Sequence, residues 1–596
     1  MKKYRFKKPL WLRILLSLVL LGIVACLWEF VSSQNPYLLP VKRAFKYDVM
    51  RVSPVDVRTE TAGLVSGSGT FYVDGTEVDT GYAHGKDNKA VWHDDAKARL
   101  VNYLDGYQLD FPADAQFDFS LSPLFTRASG DGWDAVVSRE TAKYESLKEV
   151  ISFELSTFFP FLHDEGVGNY VNHYEWRFLT DAGWQQANRV SVTEQSEYWQ
   201  GGRLAAQVFS ATLQDPGDAA YDTYLYATVY TKSREYLRVV VRCDSADTAT
   251  TEHFRGAIEH VRTFAPTGVG HFETDYYPGC DEAALSDEAR ALYDSLRDFS
   301  APLRWGVFTR DVFTTGIDET IPALETALDH RFDVVLGYIH FNMPFPSEFM
   351  EKNYAQGRLV ELTWQLTENN NEDMFAHTPF LDIYRGERDD EIRAVARDMK
   401  AFGHPFLLRL NNEMNSDWTS YSGVVNLADP QMFAAVWQRI YRIFAEEGVD
   451  NCLWIYNPND RNAPPTKWND SLAYYPGNEY VHLLGVTGYN NGTYYTQWNE
   501  QWRDFTTIYD EIEALYQPHF ARFPWIITEF ASSSYGGDKA KWIDEMFAHI
   551  GDYPNLRIAV WFSYADFDGE TPARPYWLDE TPETLAAFRR GLNAEN

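Results

Sequence analysis

Two glutamates each close an apolar run. Glu413 lies in Pro405-Phe-Leu-Leu-Arg-Leu-Asn-Asn-Glu-Met-Asn-Ser-Asp417, where Phe406 to Leu410 breaks into Asn411, Asn412 and Glu413, and Trp418 follows five residues on. Glu529 ends Trp525–Thr528 in the same manner. An apolar run cut off by polar groups is how a buried parallel strand reads when it ends at a polar site. A carboxyl flanked by amides, with an indole nearby, suits a sugar. The carboxyl serves as acid or base, the amides as hydroxyl partners and the indole as a stacking face. Two facing carboxyls are the minimum for cleaving a glycosidic bond. A plain strand-to-loop junction with a solvated Glu gives the same local pattern, so the surrounding elements decide.

From Leu303 onward short apolar runs alternate with helical stretches. The candidate strands are 305–308, 334–339, 359–363, 406–410, 452–456, 483–486, 525–528 and 558–561. Helical patterns fill most of the gaps, over 319–328, 389–402, 431–447, 505–516 and 539–550. Strands alternating with helices imply a parallel sheet, and eight beats over this length imply a closed (β/α)8 TIM barrel across residues 300–592. Catalytic groups of such barrels sit where the strands end at the C-terminal face. The expected rim groups are Trp364 and Gln365 on strand three, Asn412 and Glu413 on strand four, and Asn457 and Asn459 on strand five. Tyr489 and Asn490 end strand six, Glu529 strand seven and Trp561 strand eight.

The ordered motifs of this half resemble glycoside hydrolase family 26, a β-mannanase family within the large clan of retaining (β/α)8 glycosidases. They are Asp389-Asp-Glu-Ile-Arg-Ala-Val-Ala-Arg-Asp-Met-Lys-Ala-Phe-Gly-His-Pro405 with the Glu413 stretch, Tyr474-Tyr-Pro-Gly-Asn-Glu-Tyr-Val481, Gly485-Val-Thr-Gly-Tyr-Asn490 and Pro524-Trp-Ile-Ile-Thr-Glu-Phe-Ala-Ser532. The resemblance implies Glu413 as acid/base, Glu529 as nucleophile and Tyr489 as the nucleophile's hydrogen-bond partner. It further implies Trp418 as a subsite wall, Trp561 as a platform and Arg409 as the buried strand-four arginine. Trp364 is carried as a further substrate-binding residue. The chain departs from the family at Asn412, where His usually precedes the acid/base. Asn at that point binds the sugar 2-hydroxyl in other families of the clan, so the departure bears on substrate. The resemblance implies hydrolysis of β-1,4-mannan or a related β-linked plant polysaccharide, without metal or cofactor. A non-catalytic surface carbohydrate-binding protein on a decayed barrel is the alternative.

Before the barrel, residues 50–265 carry strand-like runs and turns that close on an amphipathic helix at 252–264, with Phe254, Ile258 and Val261 on one face. This is the pattern of an α+β accessory domain, with a linker over Ala265-Pro-Thr-Gly-Val-Gly270. No catalytic constellation is visible in it. Aromatics are 16% of the chain, which suits sugar faces and cores alike. The net charge of -33 repels phosphate backbones, so nucleic acid is not an expected partner. Residues 1–13 are basic and precede an uncharged run over 14–28, within an anchor or signal segment over 14–31. That order sends the chain outward from a cell membrane, as a single-pass transmembrane anchor, with secretion after cleavage or lipidation at Cys26 as the other outcomes. Each leaves the catalytic domain extracellular, with the membrane a partner through the N-terminal segment.

Overall fold

The computed structural model describes residues 70–73, 76–78, 89–141, 177–179, 181–200, 203–232, 235–266, 272, 282–368, 374, 376–496 and 500–594. Residues 1–31, and with them the expected transmembrane segment, lie outside the described residues. Among the described residues no helix is long and apolar enough to cross a membrane.

Eight parallel strands close into a barrel: β1 (Arg304–Thr309), β2 (Val334–His340), β3 (Leu359–Gln365), β4 (Phe406–Leu410), β5 (Cys452–Tyr456), β6 (Leu483–Asn490), β7 (Trp525–Ser532) and β8 (Leu556–Ser563). Strands of such a barrel are covered on both faces, and β4, β5 and β7 are buried at every residue. The helices around them are cut to length by their ends. The helix Asp389–Phe402 starts with three acidic residues and stops at Gly403, whose φ of 72° suits glycine; Ile392, Ala396, Met399 and Phe402 form its buried stripe. The next, Pro430–Glu447, is capped by the Asp429 side chain, opens on Pro430 and ends at Gly448 with φ 71°. These two flank β4 and fix where it ends. Between β5 and β6 the chain makes short 3₁₀ turns at Ser471–Tyr474 and Asn478–Tyr480 in place of a long helix.

Among the described residues the N-terminal module has two antiparallel sheets, a short helix at Ala182–Ala187 and a longer one at Thr248–Glu259. The seven-stranded sheet runs, in spatial order, 116–118, 126–130, 133–141, 235–243, 223–232, 203–213 and 190–200. One face of it, with Val137, Leu237, Val239 and Val241, packs on the module's own core together with Phe254 and Ile258 of the helix Thr248–Glu259. The other face presents Tyr224, Tyr226, Tyr230, Tyr236 and Val240 to a core that is continuous with the barrel's. Val261 is only half-buried beside the first of these cores.

The ties across the junction are buried and polar. Arg242 reaches both Asp429 oxygens at 3.0 Å and holds Asp134 through Nε at 2.5 Å. Tyr226 donates to the Leu427 carbonyl at 2.7 Å, and Arg238 to the Ala428 carbonyl at 2.5 Å. Removing one partner of a buried ion pair leaves the other charges uncompensated, at a cost of about 3–5 kcal/mol. Arg242→Ala therefore lowers the urea-unfolding stability of the full chain by about that amount, whereas the exposed Arg590→Ala, which loses only a surface pair with Asp544, changes it by less than about 1 kcal/mol.

Candidate active site

Glu413 and Glu529 meet at the C-terminal mouth of the barrel. Beyond Leu410 the chain turns through two left-handed residues, Asn411 (φ 56°) and Glu413 (φ 57°). Such backbone is uncommon outside glycine and is sustained only where neighbours over-determine it. Here the Asn411 side chain accepts from Leu366 N–H at 2.8 Å, and Glu413 N–H donates to the Asn457 carbonyl at 2.9 Å. Glu529 is aimed by a different device. The pairing of β7 with β6 skips a residue between Ile527 and Glu529, and that with β8 skips between Ile527 and Phe530. An extra residue in one strand re-aims the side chains that follow it, and bulges of this kind cluster beside active sites.

The two carboxyls share one nitrogen. Asn412 Nδ2 lies 3.3 Å from Glu413 Oε1 and 3.4 Å from Glu529 Oε1. Those legs bound the two oxygens to a gap of no more than about 6.7 Å, which admits the separation of about 5–5.5 Å of retaining carboxyl pairs. The amide is held in one orientation, because its carbonyl oxygen accepts from Gln365 Nε2 at 2.8 Å and from Tyr421 Oη at 3.0 Å.

Their surroundings are unequal. Glu529 accepts five hydrogen bonds: to Oε1 from Arg409 Nη1 (3.0 Å), Thr487 (3.1 Å) and Asn412, and to Oε2 from Tyr489 (3.0 Å) and Tyr338. Such a set of donors suits a carboxylate, which has acceptor sites only. Arg409 is fully buried, and it also donates to Asn457 at 2.9 Å. Glu413 accepts at Oε2 from Asn459 (2.7 Å) and from the Trp418 indole (3.0 Å), and no cation touches it among the described residues. Burial, and then the negative charge of Glu529, push its pKa up to about 7. One carboxyl is thus an acid near neutrality while its neighbour is fitted to carry charge, which is how a site divides acid from nucleophile.

Not every expected residue faces this centre. Trp418 does, 42% exposed at the rim, as do Tyr489, Arg409 and Asn412. Trp364 does not. It is fully buried and stacks on Phe341 at 5.9 Å, because Glu361, Thr363 and Gln365 occupy the inward-facing positions of β3. Trp561 is likewise fully buried between Phe530, Trp542 and Phe588 in the helix layer. The strand-eight ring beside the site is Phe562, which meets Tyr489 edge-on at 5.9 Å and stacks on Phe308 at 4.6 Å. In both cases strand alternation turns the neighbouring residue inward.

Four participants escape sequence reasoning altogether: Tyr338, Thr487, Tyr421 and Glu361. The first two stand at inward positions of their strands, where a hydroxyl reads as ordinary strand composition. Glu361 lies beneath Arg409, with Nε 3.2 Å away, but that N–H is spent on Thr363. Burial raises the Glu361 pKa to about 8 against the pull of Arg409, so this third carboxyl is held as an acid at neutrality. Its neutrality leaves the Arg409 charge to Glu529. No group of His, Cys, Asp and Glu suited to a metal ion occurs among the described residues.

Comparison with known proteins gives the same direction. Residues 366–521 match the family model described as glycosyl hydrolase family 26. Endoglucanase H of Acetivibrio thermocellus is 30% identical over 311 residues, 51% of this chain and 32% of that protein. Mannan endo-1,4-beta-mannosidase of Bacillus subtilis is 30% identical over 102 residues, 16% of this chain and 26% of that protein. The chain spans about a third or less of the length of these curated relatives. Among solved structures, a GH26 β-mannanase from Bacteroides ovatus is 17% identical with a TM-score of 0.39, covering 52% of this chain and 94% of that one. Over its barrel, the chain is similar to proteins of glycosyl hydrolase family 26.

Proposed function

We propose that the barrel is a retaining endo-β-glycanase acting by double displacement. The observation that carries this reading is the Asn412 nitrogen shared by two carboxyls of opposite character. Glu529, charged and held by Arg409, Tyr338, Tyr489 and Thr487, attacks the anomeric carbon. Glu413, protonated, gives its proton to the departing glycosidic oxygen, so the C–O bond breaks without an alkoxide leaving. A glycosyl ester on Glu529 results. Glu413, now ionised and steadied by Asn459 and Trp418, takes a proton from water, which attacks the same carbon and returns Glu529 as a carboxylate. The exposed face of Trp418, its N–H already spent on Glu413, offers a stacking surface for a sugar ring in line with the acid.

The substrate proposed first is β-1,4-mannan, the substrate printed in the names of the two Bacillus subtilis relatives. A second reading, mixed-linkage β-glucan, has its own support. The longest of the curated matches given above is to an endoglucanase, and the Asn412 amide is oriented to donate toward a sugar 2-hydroxyl, the group whose configuration separates glucose from mannose. We place the enzyme on the outer side of a cell membrane, since the basic segment 1–13 ahead of an uncharged run directs the chain outward.

Three outcomes follow from these roles. Full-length enzyme releases reducing ends from soluble β-mannan or barley β-glucan, and Glu529→Ala loses activity by on the order of 10⁴-fold or more, about 5.5 kcal/mol. A binding protein on a decayed barrel would release none. The acid must be protonated, and Glu413 loses its proton with a pKa of about 7, so kcat/KM falls as pH rises through about 7. On an aryl glycoside whose leaving group needs no proton, Glu413→Gln abolishes that alkaline limb. Asn412→His moves the ratio of kcat/KM for β-glucan over β-mannan downward by about tenfold, read by a product profile on the two polymers.

A further inference from the structure

The N-terminal module touches the loops that follow β3, β4 and β5, the same rim on which the two carboxyls stand. Asn188 brackets the β3 loop, accepting from Thr378 N–H and donating to the Ala376 carbonyl, each at 3.1 Å. Tyr226 and Arg238 take the carbonyls of Leu427 and Ala428 in the β4 loop, both of which hold left-handed backbone (φ 59° and 46°) that neither residue type favours. The β5 loop is gripped most directly. Glu140, 1% exposed on strand 133–141, accepts the backbone N–H of Lys467 at 2.8 Å and of Trp468 at 3.0 Å.

From that grip the peptide link to Asn469 and a series of buried and half-buried hydrogen bonds run to the acid. Asn469, next after Trp468, donates to the Asn415 carbonyl at 2.7 Å. Asn415 clasps Asn459, accepting its N–H at 2.8 Å and donating to its carbonyl at 3.0 Å. Asn459 donates to Glu413 Oε2 at 2.7 Å. Asn415 and Asn469 are fully buried, so neither can exchange its partner for solvent without opening the loop. A module serving only as a spacer has no use for a buried carboxylate committed to two backbone amides of a rim loop.

We propose that Glu140 is a positioning residue for Glu413, acting through Trp468, Asn469, Asn415 and Asn459, and that the N-terminal module is therefore part of the catalytic apparatus. The proposal rests on the glycanase reading for its kinetic consequence, though not for its structural one. Losing the Asn459 contact misplaces the acid and removes a donor that favours its charged form, so the Glu413 proton is held to higher pH.

The test compares full-length wild type with Glu140→Ala and Glu140→Gln, by hydrogen exchange read in mass spectrometry and by pH-dependent kinetics on the glycan that the wild type hydrolyses. In Glu140→Ala, exchange quickens about fivefold or more over 457–469 and also over 411–416, beyond the point of mutation. Its kcat falls about tenfold with KM within about twofold, and the alkaline limb moves upward. Glu140→Gln, which keeps one acceptor oxygen, lies between the two, and is read by the same criteria if Glu140→Ala does not fold. Quickened exchange confined to 466–469, or unchanged kcat and alkaline limb in a folded variant, overturns the proposal. If the wild type hydrolyses no β-glycan, the glycanase reading fails by itself, and the exchange pattern alone decides whether Glu140 holds Glu413.

Discussion

The site depends on one buried contact, that between Arg409 and Glu529. The guanidinium is fully buried and lies 3.0 Å from the carboxylate, itself 5% exposed. Taking two charges out of water costs several kcal/mol per ion unless geometry and further hydrogen bonds compensate. The surroundings of this pair read as that compensation. Arg409 donates to Thr363 and Asn457, while Glu529 receives Thr487, Tyr489, Tyr338 and Asn412. Glu361, the other carboxyl within reach of Arg409, is kept as an acid by burial, and so does not divide the positive charge. Burial, and then the negative charge of Glu529, destabilise Glu413 as a second anion, and its pKa rises.

The fold serves this asymmetry from three directions. Barrel closure brings β4 and β7 to the same mouth. Left-handed backbone at Asn411 and Glu413 on one side, and the skipped residue in β7 on the other, turn the two carboxyls toward Asn412. The N-terminal module closes the third side, where its sheet is apolar on both faces, one for its own helix and one for the barrel. A sheet buried on both faces cannot stand alone in water without exposing one of them. Fold and site are therefore coupled through the loops at 415–429 and 459–475, which belong equally to the junction and to the mouth.

Much of this was legible in the chain, and the boundary of legibility has physical causes. The eight apolar runs and their polar ends announce a barrel because parallel strands are buried along their length. Glu413 and Glu529 stand out because charge is rare immediately after such runs. Trp364 and Trp561 misled because a strand end presents adjacent residues to opposite faces, and type alone does not say which faces inward. The skipped residue between Ile527 and Glu529 has no sequence marker of its own. Tyr338 and Thr487 sit within apolar runs, where a hydroxyl resembles ordinary strand composition. The two-sided burial of the module sheet was visible only as unusual aromatic content at Tyr224, Tyr226, Tyr230 and Tyr236, which a lone accessory domain would explain equally well. Glu140 lies in a strand with no motif, and its partners are backbone amides more than three hundred residues away.

The central claim is that Glu529 bonds to sugar while Glu413 first gives and then takes a proton. The measurement closest to it is proton NMR of the first product released from a β-linked glycan, recorded before mutarotation. Two displacements at one carbon return the β-anomer, and its appearance ahead of the α-anomer is the predicted result. If the α-anomer appears first, water has attacked directly in a single displacement, and the assignment of Glu529 as nucleophile is wrong.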